Sequence, residues 1–218
     1  MKPRRSNQRN QALTLVEVII IIAILAIAVS ILLPSLAKMK NHQSRINCVN
    51  CLHQIGTAYY VWADGHNDKF PFQVPNADGG AMELVATGNV AASFRVMSNE
   101  LSTPIILHCP EDTDRARATN FLEGFDNSRT SYFVGLDAST NSPQVFLSGD
   151  DNLAINGVPI KSGLLELSTN TPVAWTAARH KHAGNILFAD GSVLKTDDKL
   201  LIEKLQATGV ATNCLAIP

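Results

Sequence analysis

Apolar and polar positions divide the chain into unlike parts. Residues 1–12 (MKPRRSNQRNQA) are polar and basic, with Lys2, Arg4, Arg5 and Arg9 and no acid. Leu13 to Leu33 follows, 21 residues in which only Thr14, Glu17 and Ser30 are polar. Val18 to Val29 is an unbroken apolar run of 12. At 1.5 Å per residue, a helix over this stretch reaches about 31 Å, the thickness of a bilayer's hydrocarbon core. Its 15 Ile, Leu and Val residues contribute about −0.3 to −0.6 kcal/mol each to insertion, ~−4 to −9 in sum. A central carboxylate costs about 3 kcal/mol, and Glu17 lies near the end, so insertion wins. The basic flank keeps residues 1–12 cytoplasmic and sends the rest outward.

Beyond this run the chain turns polar but keeps a helical period. Pro34 falls inside the pattern and is expected to kink the helix or bound it. Ile46, Val49, Leu52, Ile55, Tyr59 and Trp62 then step by three or four, a stripe suited to core packing. Gly65 predicts a stop near Ala63-Asp64-Gly65. Leu13 to Ala63 thus reads as one helix of about 75 Å.

Residues 64–218 carry shorter patterns. Residues 80–101 predict short helices. Tyr132–Leu136, Val145–Ser148, Val173–Thr176, Ile186–Ala189 and Val193–Thr196 predict strands, the last two joined at Asp190-Gly191 as a hairpin with a type I′ turn. Asp198–Ala207 predicts a closing helix capped by Asp197 or Asp198. The expected class is α+β, a spine helix packed on an antiparallel sheet.

Composition adds limits. The chain has 218 residues, 18 Lys+Arg against 19 Asp+Glu, and a net charge of −1. That balance argues against a nucleic-acid partner. The near-neutral sum conceals the basic leader, without which the chain is net acidic. The mean hydropathy of +0.05 likewise owes much to Leu13–Leu33, and the rest suits a water-soluble head.

Three readings fit the N-terminus. One is a secretory signal peptide cut at Ala26-Ile27-Ala28, and another is a plain single-span anchor. The third rests on resemblance. ALTLVEVIIIIAILAIAVSILLP resembles the N-terminus of type IV prepilins and type II secretion pseudopilins, usually written G-F-T-L-I-E before an apolar run. Thr14, Leu15, Val16 and Glu17 match it in order, and Pro34 falls where the family commonly has a helix-kinking proline. Ala12 stands where Gly usually precedes the cut, and Leu13 where Phe usually starts the mature chain. The resemblance implies cleavage after Ala12 and N-methylation of Leu13 by a prepilin peptidase/N-methyltransferase. It also implies assembly through Thr14, Glu17 and Pro34 with other pilin-like subunits, on an inner-membrane platform driven by a cytoplasmic ATPase. Glu17 would pair with the free α-amine of a neighbour's Leu13. A carboxylate in an apolar segment is itself a functional signal, which favours this reading.

The head extends the resemblance. Ile46-Asn47-Cys48-Val49-Asn50-Cys51-Leu52-His53-Gln54-Ile55-Gly56 resembles the C-x-N-N-L-x-Q-I-G stretch of pseudopilin-like proteins of planctomycetes and verrucomicrobia. His108-Cys109-Pro110-Glu111-Asp112 resembles their C-P-x-D segment, and Ser131-Tyr132-Phe133 their S-Y strand. His180 followed after nine residues by Asp190-Gly191 matches their H-x9-DG motif.

Candidate chemistry in the head is thin. His180 and His182 alternate and would face one way in an extended segment. With Asp150, Asp151 and Asp190 they are candidate ligands for a divalent ion. Against this, Asp190-Gly191 reads as a turn, with His180 hydrogen-bonding across the sheet to hold it. Gly149-Asp150-Asp151-Asn152 offers oxygens for Ca²⁺ but lacks the full acidic loop, and reads better as an exposed turn. No resident cofactor is expected.

Cysteines sit at 48, 51, 109 and 214, and outside the cytoplasm disulfides persist. Cys48 and Cys51 with His108 and Cys109 form an incomplete zinc pattern, without a second C-x-x-C. One disulfide tying the spine helix to the Cys109 loop is preferred, and sequence leaves the pairing of Cys48, Cys51, Cys109 and Cys214 open. No hydrolase, P-loop or metalloprotease motif occurs, so no enzyme is expected.

The expected organisation is a cleaved leader (1–12), a membrane and filament-core helix (13–33), its amphipathic continuation (34–63) and a periplasmic or extracellular head (64–218). The expected function is that of a pseudopilin in a type II secretion or type IV pilus filament. The competing class is a secreted or anchored ligand-binding or metal-binding domain.

Overall fold

The computed structural model describes residues 15–218, with side chains described for 15–30 and 46–218. Ala12, Leu13 and Thr14, the predicted processing positions, lie outside the described residues. So does the side chain of Pro34. The chain divides into two units at Gln43/Ser44.

Helix α1 runs Leu15–Asp64 and continues through position 34, so the proline does not bound it. Residues 15–30 are exposed throughout, including Ile19, Ile20, Ile21, Ile22, Ile24 and Leu25. Among the described residues no helix is long and apolar enough to cross a membrane. The predicted span Leu13–Leu33 begins before the described residues, and its side chains are described only for 15–30.

From Ser44 onward the fold is α+β. Short helices α2 (Met82–Val85), α3 (Val90–Val96) and α4 (Ser98–Leu101) fill the predicted region. The strands are β1 (Tyr132–Gly135), β2 (Phe146–Asp150), β3 (Leu153–Ile155), β4 (Val158–Pro159), β5 (Gly163–Ser168), β6 (Val173–Trp175), β7 (Gly184–Phe188), β8 (Val193–Thr196) and β9 (Thr212–Ile217). Helix α5 (Asp198–Ala207) lies between β8 and β9, and the Asp197 carboxylate accepts from the Leu200 N–H at 2.9 Å as its cap.

A six-stranded antiparallel sheet has the order β5-β9-β1-β2-β7-β8, and a three-stranded one the order β4-β3-β6. Side chains of the large sheet alternate between two cores, as the pleat requires. Tyr132, Val134, Leu147 and Leu187 pack with Leu52, Ile55, Tyr59 and Trp62 of α1. Phe133, Phe146, Ile186 and Phe188 pack on the other face with Leu201 and Leu205 of α5 and Trp175 of the small sheet.

The α1 stripe differs from expectation at its start. Ile46 is half exposed and Val49 only part-buried, while Cys48 is fully buried. The buried row is therefore Cys48, Leu52, Ile55, Tyr59 and Trp62, spaced four, three, four and three. Gly56 lets the helix come close to the sheet. A Cβ there would meet Leu187 Cδ1 at 2.9 Å.

The β7–β8 hairpin is real but its turn is not type I′. Of Asp190 and Gly191 only the glycine has positive φ, +83°. The Gly191 N–H donates to the Phe188 carbonyl at 3.0 Å, and the Phe188 N–H to the Ser192 carbonyl at 2.9 Å. That is a type I turn followed by a left-handed glycine bulge. The exposed Asp190 caps it by accepting from Ser192.

Gly184 starts β7 against the ring of Trp175, whose atoms would lie 2.4 Å from a Cβ. The indole cannot give way, because its Nε1–H donates to Thr196 Oγ1 at 3.1 Å. Gly184→Ala is expected to destabilise the head by about 1–3 kcal/mol through overpacking. A lowered urea midpoint of the full chain in detergent checks this, and an unchanged midpoint refutes the packing account.

Candidate functional site: a buried thiol and ion-pair cluster

Four elements bring chemistry together where β1 begins and β2 ends. Helix α1 supplies Cys48, the loop after the 3-10 turn Pro104–Leu107 supplies Cys109, β2 ends in Asp150, and the turn before β7 supplies His180. Cys48 Sγ and Cys109 Sγ lie 2.7 Å apart, and both residues have 0% exposure. His180 Nε2 lies 3.3 Å from Cys109 Sγ and 3.5 Å from Asp150 Oδ2. His180 Nδ1 lies 3.1 Å from Glu111 Oε2, which also accepts from the His180 backbone N–H at 2.9 Å.

The segment carrying His180 is a turn, contrary to the extended reading. His180, Lys181 and His182 have φ of +54°, +54° and +57°. Three successive non-glycine residues in the left-handed region cost backbone energy, so surrounding contacts must hold them. The two histidines consequently have different partners. His182 Nδ1 lies 3.2 Å from the Trp175 carbonyl, while His180 turns inward to the thiols. The described contacts of His180 run to Cys109, Asp150 and Glu111, and the Asp190 carboxylate accepts from Ser192.

Gly149-Asp150-Asp151-Asn152 is not an exposed turn. Asp150, Asp151 and Asn152 are buried at 0%, 6% and 5% exposure. The backbone N–H and side-chain amide of Asn185 both donate to Asp150 Oδ2, at 2.7 and 2.8 Å. Asp151 belongs to a separate ion-pair group. Arg115 pairs with it at 2.6 Å and with Asp112 at 3.0 Å. Arg179 pairs with Asp151 and, at 3.2 Å, with Asp112. Ser131 joins the two groups, since its hydroxyl donates to Asp112 at 2.7 Å and accepts from the Cys109 N–H at 3.1 Å. The five candidate ion ligands therefore do not converge. Asp150 and His180 meet, Asp151 is held by arginines, and Asp190 and His182 bind locally.

All four cysteines are free thiols. Cys48 and Cys109 meet each other and His180. Cys51 is part-buried and outside that trio, and Cys214 lies on β9. His108 Nε2 lies 3.0 Å from the Arg115 carbonyl rather than in the thiol cluster. Glu111 and Arg179 were missed in the sequence, although Glu111 lies in the quoted C-P-x-D segment and Arg179 beside His180.

The surroundings set the acidities. The hydrogen bond from Cys48 lowers the Cys109 thiol to about 6, against the opposing effect of burial and with help from His180. That same bond, with burial, pushes the Cys48 thiol up. Burial pulls His180 down, but the Cys109 bond and the Asp150 and Glu111 charges outweigh it and the net shift is upward. Burial raises Asp150. Burial would also raise Asp112, but Arg179, Ser131 and Arg115 hold its carboxyl below the usual range. The thiol cluster thus suits soft-ion ligation or sulfur redox chemistry, and the arginine–aspartate group suits clamping the Cys109 loop to β1.

Residues 7–33 match the family model of the prokaryotic N-terminal methylation motif. This match supports a type IV pilin-like chain with a prepilin cleavage and methylation segment. It covers the end of the leader, the predicted cut and the apolar run, and stops short of the head. No curated protein and no solved structure matches the chain.

Asp112 provides the sign of a pH effect. A carboxyl held below its ordinary range stabilises the fold above that range, and the contribution is lost as pH falls through the folded value. Arg179→Met leaves Asp112 and Asp151 to Arg115 alone and is expected to cost about 3 kcal/mol at pH 7. The cost should shrink below about pH 4 as the carboxylates protonate. Urea midpoints at both pH values check this, and a pH-independent difference contradicts it.

Proposed function

We propose that the chain is a pilin-like filament subunit, a pseudopilin of a type II secretion or related type IV pilus assembly. The observation that carries this reading is the methylation-motif match over residues 7–33, the stretch that contains Ala12, Leu13 and Glu17. The exposed apolar surface of α1 from Leu15 to Ser30 supports it. Such a surface needs either lipid or copies of itself for cover.

On this reading a prepilin peptidase in the cytoplasmic membrane removes residues 1–12 and methylates the new amine of Leu13. The chain waits as a single-span protein with its head outside. Assembly moves the helix from lipid into a bundle of like helices, so apolar area stays covered throughout. Glu17 then meets the Leu13 amine of a neighbour. Two opposite charges in a low-dielectric layer attract strongly and fix the stagger between subunits. The chain's role is mechanical and non-catalytic, and the work comes from a partner ATPase.

Mass spectrometry of the membrane-extracted protein tests the processing step. The expected chain begins at N-methylated Leu13. A start at Val29 identifies a secreted domain, an intact Met1 identifies a plain anchor, and either overturns the proposal. Glu17→Ala is expected to leave insertion intact and to reduce filament yield at least tenfold. Wild-type yield in that variant refutes the charge pairing.

A further inference from the structure

We infer that Cys48, Cys109, His180 and Asp150 form a binding site for a zinc-class divalent ion in the head. Cys48 Sγ, Cys109 Sγ and one ring nitrogen of His180 all lie within 4.8 Å of one another, and all three residues are buried. Asp150 Oδ2 is 3.5 Å from His180 Nε2. Two sulfurs and an imidazole are donors of tetrahedral zinc, and the Asp150 carboxylate, beside but outside that close trio, is the fourth. Thiolates and imidazole select a borderline-soft ion over calcium or magnesium.

Three observations favour an ion over a bare thiol pair. First, Asp150 is 0% exposed, yet its Oδ1 has no hydrogen-bond partner. A buried carboxylate oxygen left in that state is costly, and a cation beside it removes the cost. A disulfide between the cysteines would do nothing for Asp150. Second, the supporting shell is in place. Glu111 sits 3.1 Å from His180 Nδ1, so a proton on Nδ1 faces the carboxylate and leaves Nε2 to ligate. Asn185 holds Asp150 Oδ2 through two donors. Third, the left-handed run at 180–182 aims one histidine inward at a cost in backbone energy. Such strain marks positions where a side chain's direction matters.

Binding is balanced by proton release. The two thiols ligate as thiolates, and their protons leave to solvent as the ion enters. Zn–S distances of about 2.3 Å put tetrahedral sulfurs about 3.8 Å apart, so the pair opens by about 1 Å on binding. The site lies wholly in the unit from Ser44 onward and stands or falls apart from the N-terminal processing.

The test uses the full chain, purified in detergent without chelator and supplied with Zn²⁺. Elemental analysis is expected to find one zinc per chain. Cys48 and Cys109 should resist alkylation until a strong chelator is added. Co²⁺ in place of Zn²⁺ should give a thiolate-to-metal charge-transfer band. Glu111→Gln keeps every ligand and is expected to weaken Co²⁺ and Zn²⁺ affinity about 10–100-fold. Cys214→Ser should change nothing. Cys109→Ser should abolish the charge-transfer spectrum, and if that variant does not fold, Glu111→Gln still decides. A Cys48–Cys109 disulfide, seen as a peptide pair two hydrogens lighter without bound metal, overturns the proposal. So do reduced thiols that take up no metal, or zinc retained in Cys48→Ser/His180→Ala.

Discussion

The seating of α1 on strands β1, β2 and β7 governs the rest of the head. The buried row from Cys48 to Trp62 must meet Tyr132, Val134, Leu147 and Leu187 along its length. Gly56 over Leu187 sets how close the two layers come. Around that contact the aromatic residues Phe70, Phe72 and Phe94 close against Tyr59, edge-on or tilted, with centroids 5.6 to 6.3 Å away. The Tyr60 hydroxyl donates to the Ala189 carbonyl beside the hairpin. A shift of α1 along its axis would disturb each of these contacts together.

The upper end of that contact is where apolar packing gives way to charge. Cys48 is both the first member of the buried row and a member of the thiol cluster. Near it lie the acidic residues Asp150, Asp112 and Asp151, all buried, and the part-exposed Glu111. Two arginines pair directly with Asp112 and Asp151, whereas Asp150 is bonded by the Asn185 amides and faces His180, with the Arg179 charge acting on it without an ion pair. This unevenness separates the two groups. The arginine group is electrically closed and acts as a clamp, while the thiol group has negative capacity left for a cation.

The sequence pattern reveals α1, the strands β1, β2, β6, β7 and β8, whose apolar runs are bounded by turn residues, and α5 with its Asp197 cap. It fails at short or unpatterned elements. Strands β3 and β4 have three and two residues, too few to show alternation. Strand β5, GLLELS, begins at a glycine and is exposed on alternate positions, and β9, TNCLAI, mixes polar and apolar residues without a regular period. The site itself was half legible. Cys48, Cys109, His180 and Asp150 each drew notice, but their meeting depends on chain crossings that no local pattern encodes. His180 was misplaced because three left-handed residues in a row have no propensity signature. Glu111 and Arg179 carry no spacing that points to their partners, His180 and the two aspartates, which are distant in sequence.

The position of β9 has a consequence for how the head comes to be folded. It is the last strand in the chain, yet it is inserted between β5 and β1, with partners on both sides. Until it arrives, β1 and β5 both present open edges to solvent. Closure of the sheet thus joins residues some 80 positions apart, from Val134 to Ala216, a slow step by its loop entropy. On a ribosome, β1 and β5 stay without their shared partner from their own synthesis until residues 212–217 emerge. That interval is the time in which neighbouring nascent heads can exchange strands, and a holding chaperone has its natural target there.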